Sequence, residues 1–216
     1  MSKNTLKLNL EKYEFAAVLP CLLNPESDLS NIPHTWMNDL AVGYQLVTGD
    51  GEAKKHHYII TKDEATVEEL AEMVKKTPRD AYEVSVVPIE NIVGVVPGLE
   101  SGLLVVSNAD GALGAGVIAA DGLLDELANK IGGSFYMLPS SIHEVLIMKD
   151  SKIPGFSDDI EEIAKRLNEM VREVNENEVK PEDVLSDHAY HYDAKERLFE
   201  TADEYAEREK GLEESL

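Results

Sequence analysis

Ser140, Ser141, His143 and Glu144 fall within five positions of LPSSIHEVLIMKD, residues 138–150. A hydroxyl, an imidazole and a carboxylate are the parts of a nucleophile with its base and acid, and they must approach within about 2.6–3.2 Å to work together. On a strand, Ser141 and His143 share a face but stand roughly 6.5–7 Å apart, and Ser140 points the other way. On a helical turn Ser140 faces His143 or Glu144, yet Ser-x-x-His is no G-x-S-x-G nucleophile elbow. S-I-H-E also spells a capping box, with Ser141 accepting from the Glu144 amide and Glu144 answering. Pro139 restrains the chain just before it. Such a device contributes on the order of 1 kcal/mol and marks where the next strand begins. The expectation is therefore structural, with no catalytic residue assigned. Ser141, His143 and Glu144 are the residues a catalytic reading would use.

A second polar group is SDHAYHYD, residues 186–193. Asp187, His188, His191 and Asp193 carry metal-ligating atoms, and H-x-x-H sets two imidazoles on one turn. The spacing is no zinc signature, and H-E-x-x-H is absent. Further ligands would have to come from elsewhere, His143 or Glu144 for instance. The plainer expectation is an aromatic-rich strand in which Tyr190 and Tyr192 cover apolar surface. No metal or other cofactor is expected. The single cysteine, Cys21, excludes an internal disulfide and a multi-cysteine metal site. GALGAG matches no phosphate-binding fingerprint. Its glycines read as small residues in a closely packed strand. His56 and His57, beside Lys54 and Lys55, read as solvated hairpin residues.

These residues need elements to hold them. LLNPESDLSNIPH carries turn formers and reads as a connector. Leu40, Val42, Tyr44 and Leu46 alternate as one face of a strand should. Gly49-Asp50-Gly51 turns the chain and Tyr58, Ile59 and Ile60 begin a return strand. Thr66 and Glu69 box the start of a helix that ends at Thr77-Pro78. YEVSVVPI is a strand and PGLES a loop. GLLVVS, the turn NADG and LGAGVIAA then read as a second hairpin. Asp121 caps a helix closed by Gly132-Gly133, and SFYML and VLIMK are strands. A long amphipathic helix starts at Ser157 with Asp158 and Asp159 in its first turn. It carries Ile160, Ile163, Ala164, Leu167, Met170, Val171 and Val174 as its stripe. Pro181 marks a turn or helix start.

The fold expected is α+β, mostly antiparallel sheet built from two strand–strand–helix–strand units. Helices pack on one face, with a C-terminal amphipathic helix in addition. Residues 1–31 form an N-terminal connector, 32–193 the domain, with 39–89 and 102–149 as a topological pseudo-repeat, and 194–216 a charged tail, partly helical or disordered.

The net charge is −22. From Phe156 to Leu216 there are 20 acidic and 8 basic residues, a balance of −12, which leaves −10 for the first 155. Binding nucleic acid by counterion release needs lysine and arginine, so direct nucleic-acid contact is excluded, as are anionic membranes. No apolar run approaches the ~18 residues of a membrane span, and no signal peptide is read at the N-terminus. A cytoplasmic protein is expected. Its partner would be a protein, in the sharper reading a basic one.

Three stretches, IPHTWMNDLAVGYQLV, LVVSNADGALGAGVIAADGLLDELANKIGGSFYMLPSSIHEVLI and PEDVLSDHAYHYD, resemble the bacterial domain-of-unknown-function family 5688. Its members carry an LPSSIHE block after a helix and a glycine pair, and a VLSDxxYxYD block near the end. The resemblance covers roughly Ile32 to Asp193. Family members have LTN where this chain has Val106-Ser107-Asn108, and a longer N-terminal part. The resemblance implies continuity of fold and no established activity. Ser140, Ser141, His143, Glu144, Asp187 and Tyr190 match its motifs. The leading functional expectation is a non-enzymatic acidic binding protein. One alternative is a hydrolase or metal-dependent enzyme built from His143, Glu144, Asp187, His188 and His191. The other is a nucleic-acid mimic that blocks a basic nucleic-acid-binding protein.

Overall fold

The computed structural model describes residues 8–10, 16–49, 54–94, 102–151 and 159–214. Two antiparallel sheets result. The first contains β1 (Ala17–Leu23), β2 (Thr35–Met37), β3 (Leu40–Thr48) and β4 (Lys55–Ile59). β3 is its spine. β1 pairs along one side, from Ala17 opposite Val47 to Leu23 opposite Ala41, while β2 and β4 share the other. Every residue of β3 is buried, so both faces of this sheet must be covered. On one face lies α1 (Val67–Lys76), whose Leu70 packs with Val18, Tyr44, Leu46 and Ile60. The expected Thr66–Glu69 capping box opens α1, and Thr77 ends it.

The second sheet runs β10-β9-β7-β8-β6-β5. Its strands are β5 (Val84–Pro88), β6 (Leu104–Asn108), β7 (Phe135–Ser141), β8 (Glu144–Lys149), β9 (Tyr190–Asp193) and β10 (Leu198–Thr201). The remaining helices are α2 (Glu90–Val93), α3 (Leu123–Ile131), α4 (Ile160–Asn177) and α5 (Ala202–Glu213). Alternation sorts β7 cleanly. Phe135 and Met137 enter a core shared with α3 and with Leu22, Leu40 and Val42 of the first sheet. Tyr136 and Leu138 face Ile163, Leu167 and Val171 of α4 and Ala202 and Ala206 of α5. The layers are therefore α1, first sheet, central core with α3, second sheet, and the α4–α5 pair.

The α+β class, the antiparallel pairing and a C-terminal helix are all present. The finer arrangement differs. Helices cover both faces of the second sheet, because each of its faces carries apolar side chains. The first expected unit is divided: β3 and β4 stay in one sheet while β5 crosses to pair with β6 in the other. In the second unit LGAGVIAA is no strand. Gly114–Ala119 form a 3-10 helix entered through Leu113 in the left-handed region, φ 51°. A Cβ on Gly114 would collide with the Ser107 hydroxyl and stand 2.6 Å from the His143 carbonyl; on Gly116 it would lie 2.5 Å from Cys21 Cα. The glycines thus let this helix wedge between β1 and β6, where a strand has no room. Asp121 makes no cap; Gly122, with φ 75°, occupies the N-cap of α3. Gly132 ends α3 as expected, at φ 84°.

β1 lies in the segment read as a connector. Its proline is tolerated because β1 is an edge strand, where one row of amides has no ladder partner. The charged tail carries β10 and α5, the latter opened by a Thr201–Glu204 capping box. α4 starts from Asp159 as N-cap. Ser157 and Asp158, Asp50 and Gly51 of the first turn, and the whole of the expected PGLES loop lie outside the described residues. Among the described residues no helix is long and apolar enough to cross a membrane.

Candidate functional site

LPSSIHE forms the β7–β8 hairpin. Ser141 stands opposite Glu144, Ile142 and His143 make the turn, and Ser140 is an extra residue that bulges the strand. The expected capping box does not form, since no helix follows. Ser141 Oγ instead accepts from the His143 amide at 3.1 Å, a local serine turn of the kind that competes with caps. The His143 ring is engaged elsewhere. Its Nδ1 accepts from the Leu113 amide at 3.2 Å, which leaves the neutral ring's proton on Nε2, 3.9 Å from Asp183. The Ile142 amide donates to the Asp183 carbonyl at 2.9 Å, and Ser107 Oγ donates to the His143 carbonyl at 2.8 Å. His143 thereby pins the Leu113 turn, the end of β6 and the 3-10 helix Pro181–Asp183. No Ser141 to His143 nucleophile–base bond exists in this arrangement.

SDHAYHYD leads into β9 and distributes its polar groups among four separate partners. His188 Nε2 lies 2.6 Å from Asp39. His191, 1% exposed, sits 3.1 Å from Asp150 beneath the stacked ring of Tyr205, 3.6 Å away. Asp187 accepts from Asn175 Nδ2 at 2.9 Å, and Asp193 holds Arg208 at 2.9 Å. Among the described residues no three His, Cys, Asp or Glu side chains group so as to hold a metal ion. Tyr190 and Tyr192 cover the core as expected, both under 5% exposed.

Where the two sheets meet, a cavity of about 340 Å³ opens, lined by Asn24, Pro25, Glu26, Asp39, Asp187 and His188 over Leu185 and Val184. Both sheets build it. Asp39 sits in the two-residue turn between β2 and β3. Its neighbour Asn38 takes φ 53°, a conformation asparagine tolerates, and donates to Glu204 at 2.8 Å. Across the seam, Tyr190 OH donates to Asp39 at 2.6 Å. Burial, then its bond to the Asp39 carboxylate, push the Tyr190 phenol far above the ordinary range. Asn24 Nδ2 donates to the Pro181 carbonyl at 2.7 Å and ties the far end. The lining carries three carboxylates, Glu26, Asp39 and Asp187, and among the described residues no lysine or arginine. It can accept hydrogen bonds and receive positive charge. A second hollow beside Asp125 and Arg197 holds an ion pair of its own, so it offers little net charge.

Sequence reasoning missed Asp39, which stands in an ordinary-looking N-D turn. It also misread His56. That ring is not solvated: Nδ1 lies 2.6 Å from Gln45 Oε1 and Nε2 3.2 Å from Asp110. Lys54, with only 8% of its side chain exposed, bridges Glu83 and Asp110. Burial works against both charges, but the pairing outweighs it, holding Asp110 below and Lys54 above their ordinary values. The available signal was compositional, since clustered cations in so acidic a chain find carboxylates readily.

The architecture and the cleft define a two-sheet α+β protein with an acidic seat between its layers. The chain belongs to the family of unknown function DUF5688, whose model matches residues 23–194. No curated protein and no solved structure matches it. Every residue lining the cleft falls inside the matched span, whereas β10 and α5 fall outside it.

Proposed function

We propose that this is a non-enzymatic binding protein, cytoplasmic, whose cleft between the sheets receives a positively charged group of a basic protein partner. The observation that carries the reading is the lining itself, three carboxylates with, among the described residues, no lysine or arginine in the same lining. The net charge of −22 supports it at longer range, because a field of one sign speeds the approach of an oppositely charged partner. The same charge argues against direct contact with nucleic acid. A fluorescein-labelled hexa-arginine peptide, titrated by anisotropy, tests the cleft against the surface at large. Asp187→Asn should weaken binding about tenfold, the effect of one close charge pair of ~1.4 kcal/mol. Glu162→Gln, a charge-matched change on the exposed face of α4, should weaken it less than twofold. Equal effects would mean that the peptide reads only total charge.

A second reading draws on one distance. His188 held 2.6 Å from Asp39 is an imidazole oriented by a carboxylate, the arrangement of a general base. Turnover lost in His188→Gln with folding intact would favour that reading over simple binding.

A further inference from the structure

The second sheet ends at β5, which pairs with β6 alone. Antiparallel pairing alternates between residues that bond to the neighbouring strand and residues whose main chain points away from it. The Ile89 amide donates to the Leu103 carbonyl at 3.0 Å, so in this register Ile89, Val87 and Ser85 bond inward to β6. Val84, Val86 and Pro88 turn their main chain outward. Among the described residues no backbone bond from a loop, turn or cap reaches these three. The edge therefore offers two amides, of Val84 and Val86, and three carbonyls. Pro88 has no amide to leave open, which is why an edge accepts it.

We infer that this edge receives an extended segment of a partner protein as a seventh strand, apolar at alternate positions and carrying lysine or arginine at both ends. Main-chain bonds supply the affinity of such an addition and alternate side chains its selectivity. Val84 and Val86 are half-buried at the rim of the central core, and the residues set opposite them on an added strand share their face. Past the end of β5, Ile92 and Val93 of α2 are 57% and 72% exposed. Other edges are closed. The 3-10 helix of Gly114–Ala119 lies against β1, and β10 points the buried carboxylate of Glu200 inward, a device that blunts an edge. Three strands separate β5 from β9, and no residue of the cleft lining lies on β5 or α2.

Charge selects the occupant. Asp80 and Glu83 precede β5, and Glu90 follows it. The cations at this end are already engaged, Lys54 with Glu83 and Asp110, and Arg79 with Glu126. A second copy laid antiparallel on the same edge would bring Asp80 and Glu83 of one chain toward Glu90 of the other, and like charges opposed across strands are destabilising. A strand with basic ends meets carboxylates at both.

The experiment uses the full chain and a fluorescein-labelled peptide of alternating valine and threonine with two lysines at each end, followed by anisotropy. Its valines should lie opposite Val84 and Val86 and make the main-chain bonds. N-methylation of the valine amides should weaken binding at least tenfold. N-methylation of the threonine amides, which point away, should change it less than twofold. Val86→Pro removes an edge amide without touching a bond to β6, and should weaken binding about tenfold with the circular dichroism spectrum unchanged. The methylated peptides decide the matter even if that variant unfolds. Exchanging the peptide's lysines for glutamates should abolish binding. Equal effects of the two methylation patterns, equal affinity for the glutamate-ended peptide, or no binding up to about 1 mM overturns the inference. So does a protein that is dimeric by light scattering and monomeric as Val86→Pro, which would give the edge to a second copy.

Discussion

At Asp39 one carboxylate serves two donors from across the seam, Tyr190 OH on β9 and His188 in the loop before it, each at 2.6 Å. The phenol is buried, and its ring stacks on Phe199 at 5.1 Å between centroids. Tyr190→Phe keeps that packing and removes one bond. Because the Asp39 side chain is 48% exposed, water replaces the lost donor. The cost in urea unfolding should stay within about 0.5–1.5 kcal/mol. A loss well above ~3 kcal/mol would instead mean that the seam depends on this one hydroxyl. Little of this pair could be read from the chain, since His188 and Asp39 lie 149 positions apart and residue patterns report only local partners. SSIHE was legible as a backbone device because its bonds are local. The kind of device was not: a serine turn in a hairpin and a helix cap use the same residue types, and the neighbouring strands decide between them.

Elements with strong periodicity were legible: α1 and α4 with side-chain N-caps of their own, and α3 from its apolar spacing and its closing Gly132. β1 and the 3-10 helix at Gly114–Ala119 were not, for related reasons. Six apolar residues interrupted by Pro20 fit a connector as well as an edge strand, and GAGVIA has β-like composition. Only the close approach of Gly116 to the β1 backbone rules a strand out there, and that is a tertiary fact. α5 shows how a poorly amphipathic, charged segment can still dock. Tyr205 stacks on His191, and Arg208 reaches Asp193 and the buried Glu200 at 2.9 and 2.7 Å. Arg208→Met strands the Glu200 carboxylate, 6% exposed, and should cost about 3 kcal/mol. Glu200→Met in the same chain should restore most of it, since an apolar pair of similar volume tolerates burial. Chemical denaturation of the two single variants and the double variant measures the coupling. Additive losses would show that Glu200 finds other partners.

For the whole molecule, charge sets two opposing trends with pH. The −22 net charge repels itself, and that repulsion relaxes as carboxylates take up protons. Against this stand carboxylates held below their ordinary range. Burial raises Asp110 and Asp193, but Lys54 with His56 outweighs it for the first. Two backbone amides with Arg208 do so for the second. Glu204 is lowered first by the Thr201 amide that it caps. A carboxylate whose folded value lies below its unfolded one stabilises the fold above the unfolded value, about 4. That contribution disappears as pH falls through the folded value, because the unfolded chain binds the proton first. Repulsion is the weaker term near neutrality, where salt screens exposed charges beyond about 8 Å, while the paired carboxylates are partly buried and less screened. The thermal midpoint should therefore change little from about pH 7 to pH 5 and fall steeply below about pH 4. Added salt should raise it near neutrality but not on the acid side. Arg208→Met, which takes the guanidinium away from Asp193, should make the acid fall shallower. A midpoint that climbs steadily to pH 3 would mean that self-repulsion, and not the paired carboxylates, governs the stability of this fold.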